Sequence, residues 1–327
     1  MKRTLIFSLA AGLTVATASL HASPLDRAQV SADAKWLLHV DIDALRKTQL
    51  GTSLMKTVVA QAGEDLKEDA NIDLPALVKS TSSIMAYGTD YKSGKDGKGV
   101  LIWQGSKEIE QIASAFLVQQ AEATKAGSGN VKLAREGAQP VYAFGDDMHI
   151  VVRPGGGLIL GRSVDQIDLA TKVLEGKAAS LKDKPAFTEY STLPGGFFFM
   201  ALAEGFNKDA EVPPQANVLK LADGGRLAVG ESDGKLRVQL TLDAKNKDVT
   251  QQIQQVVQGL LAIATLSLGD EPDLQALIRD TKVNTDEKRV SLELAIPVAT
   301  ALKHLNDEAE PTAKTEPKSN APKQAKP

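Results

Sequence analysis

A strand that runs straight into a helix opens the folded part of this chain and then returns. Trp36 to Lys47 reads WLLHVDIDALRK, and Phe197 to Lys208 reads FFFMALAEGFNK. The two align without a gap, so that Asp43 matches Glu204, Leu45 matches Phe206 and Lys47 matches Lys208. Between and after the copies the same kinds of element follow in the same order: strand, helix, hairpin, helix, strand. That order is the β-α-β-β-α-β unit of a ferredoxin-like or split βαβ fold. The expected fold is therefore α+β, an internal duplication of this unit with extra antiparallel hairpins.

In the first copy the alternation of a strand sets Trp36, Leu38, Val40 and Ile42 on one apolar face. Leu37, His39, Asp41 and Asp43 fall on the other, which reads as wet. Asp43 then stands where a helix N-cap belongs. Helical spacing continues past Gly51 through Leu54, Met55, Val58 and Val59 to about Gln61. The second copy, Phe197 to Ala203, is apolar on both faces and reads as a central, doubly covered strand.

The remaining punctuation is clear. Asp73 caps a short helix, Ser106 another and Ser163 a third. Four short strands lie between Val131 and Gly161, separated by Gly- and Asp-containing turns. Asp233-Gly234 is a tight hairpin turn joining Arg226–Glu231 to Lys235–Asp243. Asn246 caps a helix whose Val249, Ile253, Val256, Val257, Leu260, Leu261 and Ala264 form one stripe. A final helix is expected from Pro297 to Leu305.

The ends carry different signals. Met1-Lys2-Arg3 is a short basic region, and Thr4 to Ala18 is apolar and small. Leu20-His21-Ala22 offers a cleavage site, so residues 1–22 read as a secretory signal peptide and the protein as exported, to the periplasm or beyond the cell. The apolar run falls short of the ~20 residues that a membrane span needs. The expected organisation is residues 1–22 as signal, 23–185 as first repeat, 186–305 as second and 306–327 as a disordered Pro-, Lys- and Glu-rich tail.

Composition excludes several chemistries. The chain has 327 residues, 43% hydrophobic and 24% charged, with no cysteine. Disulfides, thiol catalysis, thiolate metal sites and a lipidated cysteine are thereby ruled out. Loss of residues 1–22 leaves 36 basic against 41 acidic residues, a net charge of −5. An acidic surface with 4% aromatics argues against a nucleic-acid partner. No cofactor motif is present, and the glycine clusters form neither G-x-G-x-x-G nor a Walker loop.

Two constellations carry the right residue types for chemistry. His39, Asp41 and Asp43 are metal-ligating types at i, i+2 and i+4. A strand spreads those positions over roughly 13 Å, too far for one ion without a bend, so at most His39 and Asp41 could share one. Ser53-Leu54-Met55-Lys56 matches the S-x-x-K nucleophile motif, but its companion K-T-G and S-D-N motifs are absent. The reading that follows is a non-enzymatic envelope module that binds an envelope protein or small ligand. The alternative is an envelope hydrolase using dispersed carboxylates or the Ser53/Lys56 pair.

The phrase SADAKWLLHVDIDALRKTQLG, Ser31 to Gly51, resembles the opening of a loose class of uncharacterised exported bacterial proteins, a domain of unknown function. The resemblance implies an exported location and this type of fold, and no catalytic residue.

Overall fold

The computed structural model describes residues 25–70, 72–92, 97–183, 197–205, 214–267 and 272–309. The expected signal peptide, the tail beyond residue 309 and residues 206–208 of the second copy lie outside these residues, while a 3-10 helix runs over Pro214–Leu221.

The elements run β1 (Trp36–Asp41), α1 (Ile42–Arg46), α2 (Gln49–Ala70), α3 (Leu74–Ser80), β2 (Thr81–Gly88), β3 (Gly99–Gly105), α4 (Lys107–Lys125), β4 (Val131–Arg135), β5 (Val141–Phe144), β6 (Met148–Arg153), β7 (Gly157–Gly161) and α5 (Val164–Leu174). They continue with β8 (Phe197–Glu204), β9 (Gly224–Ser232), β10 (Lys235–Asp243), α6 (Lys247–Ser267), α7 (Pro272–Arg279), β11 (Lys282–Thr285), β12 (Arg289–Pro297) and α8 (Val298–Ala309). The last helix takes in residues 306–309, which the sequence assigns to the disordered tail.

All twelve strands join one sheet in the order β11-β12-β10-β9-β8-β1-β2-β3-β7-β6-β5-β4. The fold is α+β with a large antiparallel sheet. It is not the split βαβ arrangement that the element order suggests. Within each half β1-β2-β3 and β8-β9-β10 pair in sequence order, β3 then pairs β7 and β10 pairs β12, and every pairing is antiparallel. An antiparallel neighbour is reached without the crossover that the parallel pair of a split unit needs. The sheet is joined in the middle by β1 against β8, with His39 opposite Met200 and Leu37 opposite Leu202.

The burial of β1 reverses the expectation from its alternation. Leu37, His39 and Asp41 are buried, at 0%, 6% and 4% exposure, whereas Leu38 is 41% exposed. Neighbouring strands decide this. One register row runs Ala228, Met200, His39, Met85, Ile102, Ile159, Val151, Val141 across eight strands, and every member is buried. Val30, Ala34, Leu181 and the α5 residues Ile167 and Ala170 pack onto that face. His39 is carried into the core because the rest of its row is apolar, whereas Asp41 lies in a polar row opposite Ser83, which is itself opposite Gln104. Strand β8 keeps Phe198, Met200 and Leu202 buried and its other face half-buried.

The opposite face carries most of the helices. Ile42 and Leu45 of α1, Leu50 and Leu54 of α2, and Leu302 of α8 pack on Val40, Ile84, Phe199 and Val229. Ile253 and Val257 of α6 cover Leu242 and Val290. The single stripe expected on α6 divides in two: Val256, Leu260, Ile263 and Leu266 face outward, the last two at 61% and 83% exposure. An apolar band wider than the contact a single sheet face offers leaves its margin uncovered.

Local chemistry fixes the joints. Asp73 and Asn246 accept from Ala76 N and Val249 N at 3.0 Å, and Ser163 from Gln166 N at 3.3 Å, as their positions predict. Ser106 makes no side-chain cap bond. Glu231 of β9 supplies a cap from the other half of the chain, its two carboxylate oxygens each 3.0 Å from Gln49 N and Leu50 N at the start of α2. A carboxylate there meets the positive end of the helix dipole.

Two phenols give a pH limit. Burial pushes Tyr87 up to about 12, opposed by the backbone of Ser31. Burial also pushes Tyr91 to about 12, opposed by its bond to the Glu204 backbone. A folded value above the unfolded 10 means that the neutral phenol is favoured in the fold. The contribution is full below pH 10 and is lost as pH rises through about 12. For Tyr87 it is on the order of 2–3 kcal/mol. Phenolate absorbance and circular dichroism recorded together should show two of the four tyrosines ionising in step with unfolding. Ionisation of all four near pH 10 with the fold intact would contradict this assignment.

Candidate functional site

The sequence candidates do not assemble into a centre. Strand β1 ends one residue pair earlier than its alternation suggests, so the N-cap is Asp41 and not Asp43. Asp41 is extended (φ −84°, ψ 96°) and accepts from Ala44 N at 2.8 Å. Asp43 lies in the first turn of α1 and pairs with Arg46 Nη1 at 2.7 Å. His39 and Asp41 share the buried face, contrary to the expectation of ordinary polar groups on a wet strand face. Among the described residues no group of three or more His, Asp or Glu is placed to hold a metal ion. His149 lies on β6, four strands away from His39 in the sheet.

Burial raises the Asp41 carboxyl above its ordinary value, opposed by the Ala44 N–H and the neighbouring His39. The fold thus favours neutral Asp41. The contribution of the group is full below 3.8 and is lost as pH rises through the folded value. Asn caps as well as Asp and carries no charge, so Asp41→Asn should match or exceed the parent stability at neutral pH. Asp41→Ala should lose about 1 kcal/mol with the cap. Denaturant melts of both variants check this, and equal losses would show that the charge is needed.

Ser53 is half-buried and Lys56 exposed on α2, and no hydrogen bond joins them. Neither lines the clefts described below. Among the described residues no hydrogen bond or ion pair gives either of them a base or an orienting partner.

The site that the sequence did not reveal is a cleft of about 530 Å³ on the Leu38 face of the sheet. Its floor is a register row: Ala86 of β2 lies opposite Leu101 of β3, which lies opposite Leu160 of β7. Leu38 and Ala201 extend the row across the sheet centre. The short Ala86 between two leucines makes the row hollow, and no described helix covers it.

Trp36 forms one wall. Its ring lies across two glycines, so close that a Cβ at Gly88 would sit 2.5 Å from the indole and one at Gly99 3.2 Å away. The indole N–H donates to Asp90 O at 2.7 Å. Oδ1 of Asp90 in turn accepts from the backbone N–H groups of Lys98 at 3.1 Å and Lys92 at 3.3 Å, which holds the backbone of both lysines at the mouth. The Tyr91 hydroxyl bonds Lys35 O at 2.9 Å and Glu204 O at 2.5 Å, tying this loop to the β1–β8 seam. Met148, Asp147 and Arg162 make the far wall. The possible sequence signal was the pair Gly88 and Gly99 facing a tryptophan. Only the register reveals that the three lie in one row.

The lining is mostly apolar carbon, and the mouth is cationic. Lys92, Lys98 and Arg162 are exposed, and among the described residues none enters an ion pair. An apolar hollow with a few convergent polar groups is the usual form of a small-molecule site.

No family model matches the chain, and no curated protein matches it. Two solved structures are similar in overall course: crystal form I of TP0453, at TM-score 0.48 and 12% identity over 87% of this chain and 98% of that one, and crystal form IV, at 0.48 and 11% over 87% and 97%. At that level nothing about the function of this chain follows from them.

Proposed function

We propose that the protein is an exported, non-enzymatic binding module of the bacterial cell envelope, and that the cleft beside Trp36 is its ligand site. The cleft carries the reading. It is large enough for a small molecule, apolar at its base and charged only at its mouth. The signal pattern in residues 1–22 supports export, and no described helix is long and apolar enough to cross a membrane. The strand order supports a duplicated origin: β1-β2-β3-β7-β6 on one side of the seam has its counterpart in β8-β9-β10-β12-β11 on the other.

A neutral apolar fluorophore such as N-phenylnaphthylamine tests the site. The parent protein should bind it with increased emission. Ala86→Trp, which fills the hollow from an exposed face, should weaken binding at least about tenfold with the melting curve unchanged. Absence of probe binding by the parent, or equal binding by both proteins, would overturn the assignment.

A further inference from the structure

We infer that the occupant of the cleft is a single-chain amphiphile with an anionic head, a free long-chain carboxylate. This rests on the cleft being a ligand site and names the class of ligand it takes. The acidic chain places three cations, Lys92, Lys98 and Arg162, around one apolar hollow. The two acids in the same lining, Asp90 and Asp147, offset them only in part. Asp90 accepts two backbone N–H groups on Oδ1 and Asp147 is itself engaged, so three cations stand against two acids and the mouth keeps a positive excess. The cations stand at the rim while Ala86, Leu101 and Leu160 lie at the base, the arrangement that an alkyl chain with a terminal carboxylate complements.

The other large cleft supports the contrast. Between α4 and strands β4 and β5 a hollow of about 490 Å³ carries Glu122, Glu136, Lys125 and Lys132. Its charges balance, and Lys125 is paired with Glu122 at 2.8 Å. Among the described residues the Trp36 cleft differs in setting three cations outside any ion pair beside apolar carbon. Its volume lies in the lower part of the range of about 300–1,000 Å³ for small-ligand sites, which suits one chain better than the paired chains of a phospholipid.

The test titrates the full chain with dodecanoate, dodecyl maltoside and dodecyltrimethylammonium below their micelle concentrations, and with anionic phospholipid vesicles. Heat of binding is the first readout and tryptophan emission the second. Trp36 faces the ligand, whereas Trp103 is held by Thr81 Oγ1 at 2.9 Å away from the cleft. Dodecanoate should bind at least about tenfold tighter than either other monomer. The triple variant K92Q/K98Q/R162Q should bring it down to the affinity of the maltoside. Equal binding of dodecanoate and maltoside, tighter binding of the cation, or binding of vesicles without monomeric dodecanoate would overturn this inference while the neutral probe still reports a ligand site. Failure of every amphiphile and of the neutral probe would overturn both readings.

Discussion

Truncating Leu37 to alanine is expected to cost about 3–5 kcal/mol, whereas the same change at the next residue, Leu38, should cost less than about 1 kcal/mol. Leu37 has no exposed surface and packs with Tyr87 and Leu202 at its register positions in the largest core. Removing its branched end leaves a void that a sheet braced on both sides cannot close. Leu38 is 41% exposed between two alanines, Ala86 and Ala201, so its truncation leaves no enclosed void. Urea unfolding of the two variants measures the difference. Equal losses would mean that the faces of β1 have been assigned the wrong way round.

The same pair of residues shows where reading from sequence stops. Alternation in WLLHVDI correctly separates two faces, but which face is inside depends on what lies opposite. Met85, Ile102 and Met200 occupy the row of His39, and they come from strands 46 to 161 residues away in sequence. Local elements were legible because their causes are local. Asp233 and Gly234 take φ of 54° and 69° in the hairpin turn that their identities demand, and Asp73, Ser163 and Asn246 cap the helices that follow them. The strand order and the cleft were not legible, since both are made by register between distant segments. The cap of α1 was missed for a smaller reason: Asp41 and Asp43 both suit an N-cap, and only the point where the strand ends distinguishes them.

Gly51→Ala is expected to lose on the order of 3 kcal/mol, although the glycine lies inside a helix where alanine is ordinarily preferred. A Cβ at this position would sit 1.8 Å from Leu45 O and 2.5 Å from Leu45 C, both backbone atoms at the end of α1. The corner between α1 and α2 is tight because Thr48 Oγ1 accepts from Gly51 N at 2.8 Å while its hydroxyl donates to Leu45 O at 2.7 Å. Backbone cannot rotate aside as a side chain does, so α2 would have to move off α1 and off the carboxylate of Glu231. A melting temperature for Gly51→Ala equal to or above that of the parent would contradict this packing. Glycine inside a helical stretch carries this information only once the neighbouring helix is in place.

The most direct test of the account is a methyl-resolved NMR titration of the protein with monomeric dodecanoate. The account predicts shifts at Ala86, Leu101, Met148 and Leu160 around the cleft. Leu37 and Ile159 on the opposite face, and Val256 and Ile263 on the exposed stripe of α6, should stay in place. Shifts confined to the α6 stripe, or none at saturating dodecanoate, would contradict it.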